Sequence, residues 1–74
     1  MEEKIYDILD EICDEDIREL GDEDLFEEGY MDSMAVAELV VRVEEELGIT
    51  LNVTEIERDE FNTAPKIVAY IASR

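Results

Sequence analysis

The chain has 74 residues, of which 46% are hydrophobic, and 23 acidic against 6 basic residues give it a net charge of −17. A chain of this length forms one domain, 1–74, and buries only about 60% of the surface that its unfolded form exposes, which disfavours a large catalytic cleft. Its charge repels nucleic acids and anionic membrane surfaces and favours partners with basic patches. The single cysteine, the acidic start Met1-Glu2-Glu3 and the lack of a membrane-spanning apolar run predict a soluble, cytoplasmic protein.

The first predicted helix runs from Glu2 to Asp14, because apolar residues recur there at helical spacing and form one stripe: Ile5, Ile8, Leu9 and Ile12. Cys13 lies on the flank of that stripe and is interpreted as a reduced thiol. An acidic loop follows from Ile17 to Met31. A loop this long usually has a function or its own packing, so we expect four apolar residues that interrupt its acidic run to pin it onto the helices: Ile17, Leu20, Leu25 and Phe26.

The second predicted helix begins at Asp32 or Ser33 and ends before Gly48, which suits the left-handed position after a helix. Asp32 is a good N-cap, which places Ser33 at the first helical position with its hydroxyl free. Helical geometry assigns five residues to the core face: Val36, Leu39, Val40, Val43 and Leu47.

The last third of the chain contains one more predicted helix. Ile49 to Val53 alternates apolar and polar residues but has no second strand to pair with, so we interpret it as an extended connection. Thr54 to Arg58 is predicted to form one short helical turn. The final helix begins near Asn62 or Thr63, with Pro65 in its first turn and an apolar stripe of Ile67, Val68 and Ile71. The sequence therefore predicts an all-α fold, a small antiparallel bundle of three main helices plus one short helical turn.

Ser33 is the residue with the clearest chemical meaning. The chain has no histidine, so a catalytic serine–histidine pair is excluded. An exposed serine at a helix N-terminus lies beside backbone N–H groups that favour an attached phosphate, which indicates a serine that is modified. No metal site is predicted, because one cysteine without histidine does not bind zinc and the acidic segments lack the spacing of a calcium loop.

The exposed side of the second helix has two interpretations. Met34, Ala37 and Val41 fall away from the core face, among Glu38 and Glu45. They are either scattered apolar surface residues or a partner-docking stripe surrounded by steering charge, and we favour the second. Three successive glutamates, 44–46, oppose the helix dipole at the end of this helix, which fits either a functional surface or a solvated face.

Three short strings resemble the acyl and peptidyl carrier proteins: Asp24-Leu25-Phe26, Asp32-Ser33-Met34 and Glu38-Leu39-Val40. The resemblance covers nearly the whole chain. It implies that Ser33, next to Asp32, carries covalent 4′-phosphopantetheine, whose terminal thiol holds a cargo as a thioester. It also implies that the domain itself is not an enzyme.

The downstream strings are similar to the D-alanyl carrier branch of that family: Val53-Thr54-Glu55, Arg58 through Thr63, and Lys66-Ile67. Methionine directly after the serine fits the same branch. Three positions depart from the branch pattern, each an apolar-for-apolar change: Phe61 where tryptophan is expected, Ile56 where phenylalanine is common, and Met31 where leucine is usual.

The branch resemblance implies three partners for a monomeric carrier that neither binds nucleic acid nor inserts into a membrane. They are a phosphopantetheinyl transferase, a D-alanine-activating ligase and a membrane acyltransferase that esterifies teichoic acid. Two alternatives stay open: a carrier of another acyl or aminoacyl cargo, and an acidic interaction module that is never modified.

Overall fold

The computed structural model describes residues 2–74, and in that range the fold is entirely helical, as predicted. Three α-helices, α1 (Glu2–Cys13), α2 (Ser33–Leu47) and α3 (Ala64–Ala72), form the bundle. Three single 3₁₀ turns lie between them: Ile17–Leu20, Val53–Glu55 and Arg58–Glu60. α1 packs against both of the other helices. No helix among residues 2–74 combines the length and hydrophobicity needed to cross a bilayer.

The first helix places its predicted stripe in the core. Ile5, Ile8 and Leu9 are fully buried, and Ile12 packs partly buried against them. The helix ends one residue earlier than predicted, because Asp14 adopts a left-handed conformation with φ of +53°. Aspartate tolerates this conformation better than most residues, since its short polar side chain bonds locally.

The acidic loop is pinned as expected. Ile17 and Leu25 are fully buried, and Leu20 and Phe26 pack partly buried against the same core. The 3₁₀ turn at Ile17–Leu20 was not predicted. It begins where the Asp10 carboxylate accepts a hydrogen bond from the Ile17 N–H at 2.8 Å, which ties the start of the loop back to α1.

The core face of α2 is narrower than predicted. Leu39 and Val43 are fully buried, whereas Val36, Val40 and Leu47 are only partly buried on its flanks. Because this helix packs on α1 and has no comparable contact with α3, one strip of side chains suffices to cover the core. The expectation that Val40 is a core residue was therefore wrong, because its side chain is only partly buried.

The connection from α2 to α3 corrects one prediction. The residues after Gly48 are extended, as expected, but the single turn predicted at Thr54–Arg58 is instead two turns, Val53–Glu55 and Arg58–Glu60. They are separate because Ile56 is extended and packs its side chain partly buried against the core. A hydrogen bond from the Thr54 N–H to the Asn52 side chain caps the first turn.

The predicted C-terminus of α2 and the predicted N-terminus of α3 form as expected. Gly48 has φ of +70°, and its N–H donates to the Glu44 carbonyl at 3.0 Å. The Thr63 hydroxyl accepts the Lys66 N–H at 3.3 Å, and Pro65 lies in the first turn of α3.

The acidic end of α2 is partly neutralised. Glu46 accepts from Arg42 at 2.7 Å and lies 3.5 Å from the Lys4 ammonium. These cations offset the unfavourable position of the carboxylate at the negative end of the helix dipole. All three glutamates are exposed, and Glu46 is the one that forms these ion pairs.

The facing of α2 gives a first prediction. Val43→Asp buries an unpaired carboxylate at a fully buried position, at a cost of several kcal/mol. A domain of this size has about 4–11 kcal/mol of stability in total, so we expect the variant to be largely unfolded. Val41 is 56% exposed, and Val41→Asp should change stability by less than about 0.5 kcal/mol. Thermal unfolding followed by circular dichroism measures both, and the reverse order would show that the helix is wrongly faced.

Candidate functional site

The N-terminus of α2 presents Ser33 to solvent. The Asp32 carboxylate accepts the Ala35 N–H at 2.9 Å, which confirms the predicted N-cap, and Ser33 is the first helical residue. Its side chain is exposed. Among residues 2–74 the N–H groups of Ser33 and Met34 have no acceptor, so they are free for an anion or solvent.

A cavity of about 450 Å³ opens beside Ser33. Its wall comes from three separate segments: the acidic loop, the first turn of α2 and the two 3₁₀ turns before α3. Its lining residues are Phe26, Met31, Asp32, Ser33, Val36, Val53, Ile56, Arg58 and Phe61. Sequence reasoning missed this cavity, because no local pattern brings segments so distant in the chain together.

All three departures from the branch pattern lie in the cavity wall. Met31 and Phe61 are buried, and Ile56 is partly buried. Phe61 also packs edge-to-face on Tyr70, with ring centroids 5.6 Å apart. The departures therefore alter the shape of the space beside Ser33 while leaving its apolar character.

Asp24 joins the acidic loop to the segment before α3. One carboxylate oxygen accepts the Phe26 and Glu27 N–H groups, both at 3.0 Å. The other accepts the Asn62 side-chain amide at 3.0 Å. The Leu25 N–H donates to the Asn62 carbonyl at 2.7 Å. The two resemblance strings that contain these residues are thus parts of one hydrogen-bonded unit.

The same unit leads the chain back to the N-terminus of α2. The Leu25 carbonyl accepts the N–H groups of Tyr30 and Met31 at 2.9 and 3.1 Å, directly before Asp32. On the other side, the Lys66 ammonium donates to the Asn62 side chain at 3.3 Å. Hydrogen bonds therefore hold the residues that directly precede α2, and they also hold the Asn62 side chain to which the acidic loop is bound.

The hydrogen bonds of this unit change the acidity of Asp24. The Glu27 N–H contributes most to holding the pKa of Asp24 below its ordinary value, with smaller contributions from the Asn62 amide and the Phe26 N–H. The ionised carboxylate is thus the form that the folded loop prefers.

The pKa of Cys13 is shifted in the opposite direction. Burial, followed by the negative charges of Asp10 and Asp32, raises the pKa of the Cys13 thiol to about 11. The thiol is therefore protonated at neutral pH and is a poor nucleophile, which supports its interpretation as an unreactive side chain.

The five residues predicted to contact partners are all exposed along α2. Met34 is 82% exposed and Val41 is 56% exposed. The other three, Ala37, Glu38 and Glu45, are exposed as well. The structure thus places the stripe at the surface, starting next to Ser33, and its role in docking stays a prediction.

The pKa of Asp24 gives a second prediction. Because that pKa is lowered in the folded state, the carboxylate stabilises the fold above its ordinary value of 3.8, and this stabilisation is lost as the pH falls through the folded pKa. Asp24→Asn should therefore melt several degrees below wild type at pH 7. The difference should shrink below about pH 4.

Asp22→Asn, at an exposed position in the same loop, is the matched control for the removed charge. Melting curves of the three proteins from pH 7 to pH 3 make the comparison. A gap between Asp24→Asn and wild type that stays constant over this range would contradict the role of the ionised carboxylate.

Comparison with known proteins supports the carrier interpretation. Residues 3–71 match the family described as phosphopantetheine attachment site. The D-alanyl carrier protein of Bacillus velezensis FZB42 is 45% identical over 67 residues, covering 89% of this chain and 86% of the relative. Those of Streptococcus suis 05ZYH33 and Streptococcus mutans UA159 are 44% and 45% identical, covering 93% and 88% of this chain and 87% and 82% of the relatives.

The site fits the prosthetic group of this family, 4′-phosphopantetheine. Attachment needs an accessible hydroxyl, and an extended arm needs open space beside it. An exposed serine at the mouth of a cavity provides both. The chain belongs to the phosphopantetheine-carrying carrier proteins and, within them, to the D-alanyl carrier protein family.

Proposed function

We propose that Ser33 carries 4′-phosphopantetheine and that the chain shuttles D-alanine, held as a thioester on the arm. The observation that supports this most is the position of Ser33, exposed at the first residue of α2 and on the rim of the cavity. From there an arm reaches solvent without disturbing the core. The terminal thiol of the arm is the group that holds the cargo.

The attachment step requires an enzyme from outside. The Ser33 oxygen bonds to the phosphorus next to the pantetheine part of coenzyme A, the pyrophosphate bond of coenzyme A breaks, and adenosine 3′,5′-bisphosphate leaves. The hydroxyl proton of Ser33 must be removed as the new phosphodiester forms. The chain has no histidine to act as the base. The phosphopantetheinyl transferase, with coenzyme A as donor, supplies this chemistry.

The thiol that carries the cargo does not belong to the chain. Cys13 is its only cysteine, and a pKa of about 11 leaves almost no thiolate at neutral pH. The polypeptide therefore acts as a non-catalytic carrier, and the reactions lie with its partners.

D-alanine is the cargo that the comparisons favour, since three relatives at 44–45% identity are named D-alanyl carrier proteins. A D-alanine-activating ligase would load the arm with ATP, and a membrane acyltransferase would receive the D-alanine for teichoic acid. On this route the chain acts in the cytoplasm as a single-domain monomer.

The exposed stripe of α2 is the proposed surface for these partners. Met34 and Val41 supply apolar contact area, with Ala37 between them, and Glu38 and Glu45 supply the charge that steers a basic partner. Because the stripe begins beside Ser33, a partner docked on it has its own active site near the arm.

A different cargo is the second candidate. Ile56 and Phe61 are smaller than the residues expected in the D-alanyl branch, and both line the cavity beside Ser33. A roomier cavity favours a longer acyl or a larger aminoacyl group. Incubation of the modified protein with purified ligases for D-alanine, fatty acids and other amino acids, followed by mass spectrometry, distinguishes the cargoes.

The attachment site gives a third prediction. Wild type incubated with coenzyme A and a phosphopantetheinyl transferase should gain the mass of one phosphopantetheine, and Ser33→Ala should gain none. Ser73→Ala, at an exposed serine beyond α3, is the matched control and should be modified like wild type. Modification of Ser33→Ala would refute the assignment, and an unmodified wild type would favour the interaction module.

The docking stripe gives a fourth prediction. Met34→Glu and Val41→Asp should lower kcat/KM for loading by the ligase roughly tenfold, the effect of about 1.4 kcal/mol at a contact. Both should melt close to wild type, because the side chains are exposed. Ala69→Glu adds the same charge on the exposed face of α3 and should load normally. Equal loading by all three variants would remove the stripe from the partner surface.

A further inference from the structure

Cations are scarce in this chain, and most of them are engaged. Three of the six basic residues form ion pairs with carboxylates: Lys4, Arg18 and Arg42. Lys66 donates to the Asp59 carbonyl and the Asn62 side chain. Arg58 and Arg74 are different, because no side-chain carboxylate of residues 2–74 lies within 4.0 Å of their guanidinium nitrogens, and of these two only Arg58 lines the cavity beside Ser33.

Arg58 lies at the cavity beside Ser33. It is one of the lining residues, and its guanidinium carbon is 4.8 Å from the centre of the Phe26 ring, which lines the same cavity. A guanidinium held over an aromatic face keeps its N–H edges available for a carboxylate or a phosphate group. The protein thus holds a cation without an ion-pair partner on the rim where an arm on Ser33 begins.

We propose, on the basis of the attachment at Ser33, that Arg58 is a positioning residue that pairs with the phosphodiester of the prosthetic arm. Charge complementarity identifies this occupant. The phosphodiester adds a negative charge beside Asp32 to a chain that already carries −17, so an adjacent cation relieves the repulsion. Arginine suits the task because its paired N–H donors match two phosphate oxygens.

The pairing has a consequence for the arm. An arm held at its phosphate lies over the cavity, where its geminal methyl groups contact apolar wall residues such as Val36 and Ile56. Release from Arg58 frees the arm for an enzyme. The docked state is weak, because an exposed ion pair shifts a population by only roughly two- to fivefold.

Nuclear magnetic resonance of the modified full-length protein tests the proposal. Intact mass first establishes that the arm is on Ser33, so a missing arm refutes the proposed function and is distinguished from a failure of the pairing. In wild type, the ³¹P shift of the phosphodiester should differ from that of the same protein unfolded in urea. Nuclear Overhauser effects should connect the geminal methyl groups of the arm to Val36 or Ile56.

Arg58→Gln should move the ³¹P shift toward the unfolded value and weaken those Overhauser effects by roughly two- to fivefold. Arg74→Gln is the matched control, since Arg74 also lies over an aromatic ring, 4.5 Å from the centre of Tyr70, but is not part of the cavity wall. Its spectra should equal those of wild type.

Two results would overturn the proposal. One is identical ³¹P shifts in wild type and Arg58→Gln, or an equal change in Arg74→Gln. The other is the absence of arm-to-cavity Overhauser effects in wild type, which would leave the cavity to a side chain of a partner. The Overhauser effects are measured on wild type alone. Their absence would therefore overturn the proposal even where Arg58→Gln is not modified by the transferase.

Discussion

The link between the acidic loop and the segment before α3 is the constraint on which the site depends. It consists of the Leu25 N–H to Asn62 carbonyl bond at 2.7 Å and the Asn62 amide to Asp24 carboxylate bond at 3.0 Å. The two segments are 38 positions apart in the chain. Their connection brings Phe26 and Met31 of the loop together with Arg58 and Phe61 in the lining of one cavity. Without it, Ser33 would follow a loosely held loop.

The charged surface residues of this strongly acidic chain do not hold the fold together. The link between the acidic loop and the segment before α3 is needed for that reason. The ion pairs among residues 2–74 are exposed or partly exposed, and such pairs contribute little. Cohesion comes from the buried apolar cluster, to which the loop contributes Ile17, Leu25 and Met31. The loop is thus both part of the core and the segment that leads into the N-terminus of α2, where Ser33 lies.

Local signals were sufficient to predict the helices and the position of Ser33. Apolar periodicity located α1 and α2, and the N-caps at Asp32 and Thr63 follow from side chains that bond within their own turn. The burial of Leu25 was also predictable, because an apolar residue in an acidic run has few other roles.

Features that depend on distant segments were not predictable from the pattern. The cavity, the Asp24–Asn62 bond and the position of Arg58 over Phe26 all require the tertiary fold. The partial burial of Val40 follows from how few elements cover α2, which periodicity does not encode. The resemblance assigned the strings around Asp24 and Asn62 to the same protein family. The structure adds a physical connection between them, because the two strings are in contact.

Amide hydrogen exchange of Asn62→Ala at neutral pH is the most direct test that this link organises the site. The variant keeps the backbone carbonyl that accepts from Leu25 but removes the side-chain bond to Asp24. If the link positions the loop, the amides of Leu25, Tyr30 and Met31 will lose protection together, while those of α1 keep theirs. Unchanged protection at Leu25, Tyr30 and Met31 would contradict the account, because the loop would then be held without the Asn62–Asp24 bond of the link.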